Sequence, residues 1–488
     1  MKRAAFPLLS ALLVSACTVG PDFKAPMPPP VSTYAAKGDA PAPNDQRVAL
    51  GKEIAGDWWT GFQSPSLNDV IHEALAGNED TEAAKDRMAE AEEDVNAAEG
   101  ALLPQVSLGG TGGYQKYGHA LFGPLNFNIP PFAYYTVGPT VTFPLDLFGG
   151  QKRTVEQRKA LLEYQHFELD AAYQSLVAHV AAEALALASA RAELDTLNAI
   201  IADDQRNVDL VQSAIDAGSG TRVQLVSAQT QLVEDRAQLP DMKQREAVAR
   251  HALAILVGKA PAEWSPPEFA LNDFTLPAEL PVSLPSELVH RRPDIQAAEA
   301  QLHAASAAIG VATANLYPNF NLTATVTQQA LTPGGLFNSI DNAYSLAANL
   351  TQPIFNGGRL SAEKRAAIDN YKAMLALYRQ TMISAFGDVA DRLQALANDA
   401  DRLHAEQEAA QTAAESLDLA RKSFQAGNSG ILDVIDAERR NAQAQLNFTR
   451  AKSQRLMDTA ELYLALGGTP ITAPPSTVPP DPENQNQD

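Results

Sequence analysis

The chain has 488 residues, a formal net charge of −21, a single cysteine and 45% hydrophobic residues. Such acidity argues against a nucleic-acid partner or a basic membrane-surface patch, both of which need an excess of cations. No run of 18 consecutive apolar residues occurs, so no transmembrane helix is expected, and one cysteine cannot form an intrachain disulfide.

Residues 1–16, MKRAAFPLLSALLVSA, place two cations before a short apolar core and a small-residue end, the pattern of a secretory signal peptide. Cys17 follows Val14-Ser15-Ala16 directly. A stray cysteine beside an ordinary cleavage site would look the same. The sharper reading is a bacterial lipobox, in which Cys17 is lipidated and becomes the mature N-terminus. Thr18 rather than Asp follows it, which by analogy with bacterial lipoproteins suggests sorting to the outer membrane. Residues 17–56 then read as a lipidated extended tether, rich in Pro and Ala over 20–45.

A first structural repeat is expected over 57–258. Trp58 and Trp59 precede a helix from about Ser66 to Leu103, with a packing role for the two rings. After Pro104 the period falls to two. Val106, Leu108, Gly110, Gly112 and Tyr114 alternate with Gln105, Ser107, Thr111 and Gln115. A second alternating stretch runs to 146, so 105–146 reads as a β-hairpin. A soluble sheet alternates too. Segments of about ten residues with aromatic ends favour membrane strands. A proline-free helical pattern follows over 150–217, about 100 Å at 1.5 Å per residue. A return helix over 221–257 carries Pro240, expected to bend it.

A proline-rich stretch over 259–285 reads as an equatorial connector. A second repeat over 286–468 has the same parts: a helix opened by Pro293 and Asp294, a hairpin over 319–354, a long helix over 358–426 and a return helix over 431–466. Landmarks keep a constant step. Gly218 and Gly427 are 209 residues apart, as are Pro144 and Pro353, whereas Pro104 and Pro318 are 214 apart. The chain thus reads as an internally duplicated protomer, mainly α, with four strands. The tail over 469–488 reads as disordered.

Four strands cannot close a membrane barrel, which needs at least about eight, and open edges are not tolerated in lipid. The chain must share its barrel with other copies. The histidines are scattered, with no HExxH, and Gly218-Ser219-Gly220-Thr221 lacks the rest of a phosphate loop. Nothing points to catalysis, a metal or a cofactor other than covalent lipid on Cys17.

The motifs CTVGPDFKAP (17–26), DWWTGFQSPSLNDVI (57–71), LPSELVHRRPDIQAAEAQL (284–302), LYPNF (316–320), QPIFNGGR (352–359) and GILDVIDAERR (430–440) together resemble the TolC-like outer-membrane factors, most closely the lipoprotein branch that serves resistance-nodulation-division pumps. The resemblance implies a homotrimer with a 12-stranded barrel in outer-membrane lipid and a long α-helical barrel in the periplasm. It implies a passive exit duct for a tripartite efflux system, with a periplasmic adaptor protein and an inner-membrane transporter of that pump class as partners. The alternatives are an exit duct for type I secretion and a secreted coiled-coil structural protein. The resemblance also assigns residues. Gly218, Ser219, Gly220, Gly427, Asn428 and Ser429 fall at hairpin tips where the adaptor docks. Leu432, Asp433 and Asp436 fall at the periplasmic constriction. Taken alone, the two aspartates are solvated groups that complement a helix start. Where TolC ties neighbouring hairpins with an Arg–Asp link, this chain has Ser429 and Gln224, so the resting closure is expected to be held by packing, weak hydrogen bonds and the adaptor-free geometry of the tips.

Overall fold

The computed structural model describes residues 18–39, 46–118, 129–338 and 342–468. The leader, Cys17 and the expected disordered tail lie outside the described residues. Strands are β1 (Arg47–Leu50), β2 (Gln105–Gln115), β3 (Phe132–Leu145), β4 (Glu279–Val282), β5 (Asn319–Ala330) and β6 (Asn342–Thr351). Helices are α1 (Pro65–Gly77), α2 (Glu79–Gly100), α3 (Gly150–Asp216), α4 (Arg222–Leu256), α5 (Pro285–Leu288), α6 (Pro293–Ala314), α7 (Arg359–Gln425) and α8 (Ile431–Leu466). The chain is mainly helical and groups into two compact units. Among the described residues, one holds those up to Pro26 and those within Arg87–His166 and Ala297–Arg379; the other holds those within Met27–Asp86 and Phe167–Gln296 and those from Gln380 onward.

The first unit contains an antiparallel sheet ordered β2-β3-β5-β6. Within β2–β3 the pairs run from Gln105↔Thr142 to Gln115↔Phe132, and within β5–β6 from Asn319↔Thr351 to Gln328↔Asn342. The central β3–β5 pairing runs from Leu145↔Phe320 to Tyr135↔Ala330 and is interrupted at Gly138 and Pro139. Proline cannot donate to the ladder. Gly138 is needed there because a Cβ would lie 1.9 Å from the Val326 carbonyl oxygen. The period of two puts the apolar residues on one face: Val106 opposes Val141, Phe143 opposes Leu322 and Phe320 opposes Leu350. Strands β2 and β6 form the two edges.

The second unit is a helical core with a small parallel pair, β1–β4, from Arg47↔Glu279 to Leu50↔Val282. Sequence reading gave residues 17–56 only as an extended tether. The pairing shows that its end is stitched to the connector, and the Tyr34 hydroxyl adds a 3.0 Å bond to the Ser283 carbonyl. Trp58, Trp59 and Phe62 are buried, and Trp58 stacks on Tyr463 at 5.0 Å between centroids. Within α3, Val177, Ala181, Ala184, Leu185, Leu187 and Ala188 are fully buried. One stretch of α3 is long and apolar enough by composition to cross a membrane, but 61% of it is buried inside the protein, as expected of a core helix.

Where one helix was expected from Ser66 to Leu103, the structure has two. Asn78 breaks them, with extended backbone at φ −78° and ψ 122°. Its side-chain oxygen accepts from the Thr81 N–H at 3.0 Å, capping α2, and its amide donates to the Leu256 carbonyl at 3.0 Å. A short polar side chain competes well for such backbone groups. The break also lets Gly77 approach the end of α4. At Gly258, where φ is +76°, a Cβ would sit 1.9 Å from the Gly77 carbonyl oxygen. Helix α4 continues through Pro240.

Candidate functional site

Two helical reversals lie in the second unit. In the α3–α4 reversal, Gly218 has φ +76° and donates to the Ile215 carbonyl at 2.9 Å, while Ser219 N–H bonds Ala214 at 2.8 Å. In the α7–α8 reversal, Gly427 has φ +74° and donates to Phe424 at 2.9 Å, while Asn428 N–H bonds Ser423 at 2.9 Å. Both are glycine-terminated helix ends in which the left-handed residue turns N–H groups back onto orphan carbonyls. The restart differs. Thr221 and Gln224 form a reciprocal capping box on α4. On α8 there is no Ser or Thr at Gly430, and Asp433 supplies the cap, its Oδ2 accepting from Gly430 N–H at 2.9 Å.

The residues matched to the constriction therefore differ in state. Leu432 is 45% exposed, whereas its neighbour Ile431 packs against a buried apolar cluster of Leu417, Val434 and Ala437. Asp433 is engaged by its own helix start. Asp436 pairs with Arg439 at 2.9 Å and Arg440 at 2.7 Å on the same helix. Sequence reading missed these two arginines as partners, although positions three and four residues on are the ones that meet on a helix face. Of the residues matched to the tips, Gly218, Ser219, Gly427 and Asn428 are exposed, and Gly220 and Ser429 are half-buried.

Behind the α7–α8 tip, Arg421 reaches Glu438 at 2.7 Å and Asp203 at 3.6 Å, and Asn207 also donates to Glu438. Next to this knot lies a pair of carboxyls. Asp204 of α3 is buried and faces Asp235 of α4. Both Asp235 oxygens already accept amide protons, from Gln231 at 2.7 Å and Gln238 at 2.8 Å. Burial first, then Asp235 and Glu438, push the Asp204 carboxyl up to about 7. A second pair joins α7 to α8: burial and Asp458 push Asp399 up to about 7, against the opposing pull of Arg455 and Arg402. Neither pair was singled out from sequence, since a lone Asp on a long helix looks like a solvated face.

In the first unit the segment after Cys17 is held by Arg153. This guanidinium is buried, with its side chain 4% exposed. It donates to the Val19 carbonyl at 3.2 Å and the Gly20 carbonyl at 3.4 Å, and pairs with Asp22 at 2.7 Å and Glu156 at 2.6 Å. Val19 N–H bonds the Phe148 carbonyl at 3.0 Å. Phe23 stacks on His303 at 4.5 Å, and His303 bonds Glu156 at 3.1 Å. Gly20, at φ +97°, lies so close to Gly310 that a Cβ would sit 2.5 Å from its Cα. The stretch beside the expected lipidation site is thus seated against residues that immediately follow β3.

A sheet with two open edges and one apolar face, joined to helices of 67 residues, defines a membrane channel component of the outer-membrane type. The comparisons agree. The sequence profile described as outer membrane efflux protein matches residues 70–259 and 284–468. The chain belongs to the outer membrane efflux protein family. It is 29% identical over 447 residues to the pyoverdine export outer membrane protein OpmQ of Pseudomonas aeruginosa, covering 88% of this chain and 94% of that protein. It is 27% identical over 463 residues to the cation efflux system protein CusC of Escherichia coli strain K12, covering 95% and 98%. The solved structure of the outer-membrane channel OprN superposes with a TM-score of 0.83 at 26% identity, covering 93% of this chain and all of that one.

Proposed function

We propose that three copies of this internally duplicated chain form one 12-stranded outer-membrane barrel continuous with a periplasmic helical tunnel, the passive exit duct of a tripartite efflux system. The observation that carries this reading is the sheet. Among the described residues its edge strands β2 and β6 have no second partner, and Val106, Leu108, Tyr114, Tyr344, Leu346 and Leu350 on them are each at least 60% exposed. Leaving such side chains in water forgoes about 1.5–3 kcal/mol each, and open edges in lipid forgo several kcal/mol per unpaired backbone group. Lipid outside and further copies at both edges remove both costs.

In this reading Cys17 carries lipid, and Arg153 fixes the anchored end beside the sheet. The tips at Gly218–Gly220 and Gly427–Ser429 meet a periplasmic adaptor coupled to an inner-membrane pump, and Leu432, Asp433 and Asp436 border the narrow end. Light scattering of the full chain in mild detergent tests the assembly: a mass of three protomers is expected, and a stable monomer or dimer overturns it. Mass spectrometry of the mature N-terminus tests the anchor: a diacyl-thioether Cys17 is expected, and an unmodified Cys17 in membrane-purified protein overturns it.

A further inference from the structure

The two hairpins are equivalent pair for pair. Moving the β2 residues by 214 and the β3 residues by 209 converts Gln105↔Thr142 into Asn319↔Thr351, Val106↔Val141 into Phe320↔Leu350, and Gly110↔Val137 into Ala324↔Leu346. These are the steps that separate Pro104 from Pro318 and Pro144 from Pro353. The β3–β5 pairing is therefore the junction between the end of one hairpin and the start of the next. In a barrel shared by copies, β6 meets the next copy's β2 at the same kind of junction. We infer that β6 of one copy pairs antiparallel with β2 of a second copy in the register of β3–β5, which sets Asn349 opposite Thr111, Leu350 opposite Gly110 and Leu346 opposite Tyr114. The inference rests on the shared-barrel reading and adds the identity of every opposed pair.

The register follows from Thr140↔Thr325, Val141↔Ala324 and Val137↔Gln328, carried forward by the same two steps. An independent observation supports it. Along a strand, residues alternate between faces, so a slip of one residue would set every apolar residue of β6 on the polar side of its neighbour. In the inferred register, Tyr344, Leu346, Ala348 and Leu350 share a face with Leu108, Gly110, Gly112 and Tyr114, while Ser345 and Asn349 share the other with Thr111 and Gln115. The glycines also fit. A Cβ at Gly109 would meet nothing, and one at Gly110 would come no nearer than 3.7 Å to the Thr136 carbonyl oxygen, so the sheet faces there leave room for the Leu350 and Thr351 side chains. Slips of two residues keep the faces, and those are what the experiment must separate.

Within one copy, β2 and β6 are separated by two intervening strands, about 14 Å at ~4.8 Å per strand. A disulfide between them must therefore join copies, since its Cα atoms lie no more than about 7 Å apart. With Thr111→Cys held fixed, the partner is walked along the polar face of β6 as Ala347→Cys, Asn349→Cys or Thr351→Cys. The full-length protein is purified from outer membranes and oxidised with copper phenanthroline, with single-cysteine variants as controls. Covalent trimer on a denaturing gel is expected mainly with Asn349→Cys, at least several-fold above the other two. Strongest cross-linking with Ala347→Cys or Thr351→Cys, in protein that is still trimeric by light scattering, overturns the register and leaves the shared barrel standing. No covalent oligomer from any pair, in protein that is monomeric by light scattering, overturns the shared barrel and the register with it. No covalent oligomer from a trimeric protein overturns the β6–β2 junction alone.

Discussion

Arg153 on α3 and Asp22 on the N-terminal segment form a 2.7 Å ion pair across 131 residues of chain. Asp22 is largely exposed, so the pair alone contributes little. The clamp comes from the buried guanidinium, whose charge must be matched by hydrogen bonds or cost several kcal/mol. Arg153→Ala removes the bonds to Val19, Gly20 and Asp22 together, a loss of about 1–3 kcal/mol. We expect trypsin to cleave after the exposed Lys24 about tenfold faster or more in this variant, because cleavage tracks the open population. Mass spectrometry of the released fragment reads the result. Unchanged cleavage would show that the segment is held by other contacts.

The α7–α8 tip gives a second expectation. Asp436 is balanced by Arg439 and Arg440, in exposed pairs worth about 0.3–0.5 kcal/mol each. Asp433→Ala should therefore weaken cation selectivity more than Asp436→Ala does. Arg439→Ala with Arg440→Ala should strengthen it. Reversal potentials in planar bilayers measure both. Leu432→Ala should raise resting conductance in the same recordings. Parent-like behaviour of all these variants would place the narrowest point elsewhere.

The buried carboxyl pair predicts a pH slope. Asp204 titrates near 7 in the folded protein and near 3.8 when free. Between these values the folded state holds the extra proton, so stability falls as pH rises from about 4 to about 7 and is level above. One proton limits the slope to about 1.4 kcal/mol per pH unit. The groups facing it include Asp235 and Glu438, with Arg421 and Asn207 on Glu438. Asp204→Asn should flatten the slope and raise the melting temperature at pH 8 relative to the parent. Circular-dichroism melts in detergent at pH 5, 6.5 and 8 provide the check; a parallel slope in the variant would assign it to Asp399 or another group.

The α1–α2 break predicts two unequal losses. Asn78→Ala removes a cap and a bond to Leu256, about 1–2 kcal/mol together. Gly258→Ala should be worse, because it combines a left-handed φ with a Cβ 1.9 Å from the Gly77 carbonyl. Denaturant melts of the two variants should rank in that order.

The periodic signals were the legible part of the fold. Alternation over 105–115 falls on β2, and the proline-free stretch from 150 falls on α3. The glycine reversals were legible too, since AGSG and AGNSG interrupt otherwise helical patterns. Long-range partners were not. Nothing local marks Arg47 as the neighbour of Glu279, Arg153 as the seat of Val19, or Asp204 as the partner of Asp235. The break at Asn78 was overlooked because the helical pattern resumes at once, and only the bond to Leu256 reveals why it is there. At the candidate constriction, sequence gave the aspartates, while Arg439 and Arg440 needed side-chain geometry.

The β3–β5 junction has a consequence for biogenesis. Leu145 ends one hairpin and its partner Phe320 begins the other, with all of α3 and α4 between them. At roughly 5–20 residues per second, the first hairpin waits about 10–35 s after synthesis before its partner exists. Throughout that wait the β3 edge lacks the strand with which it pairs in the folded protein.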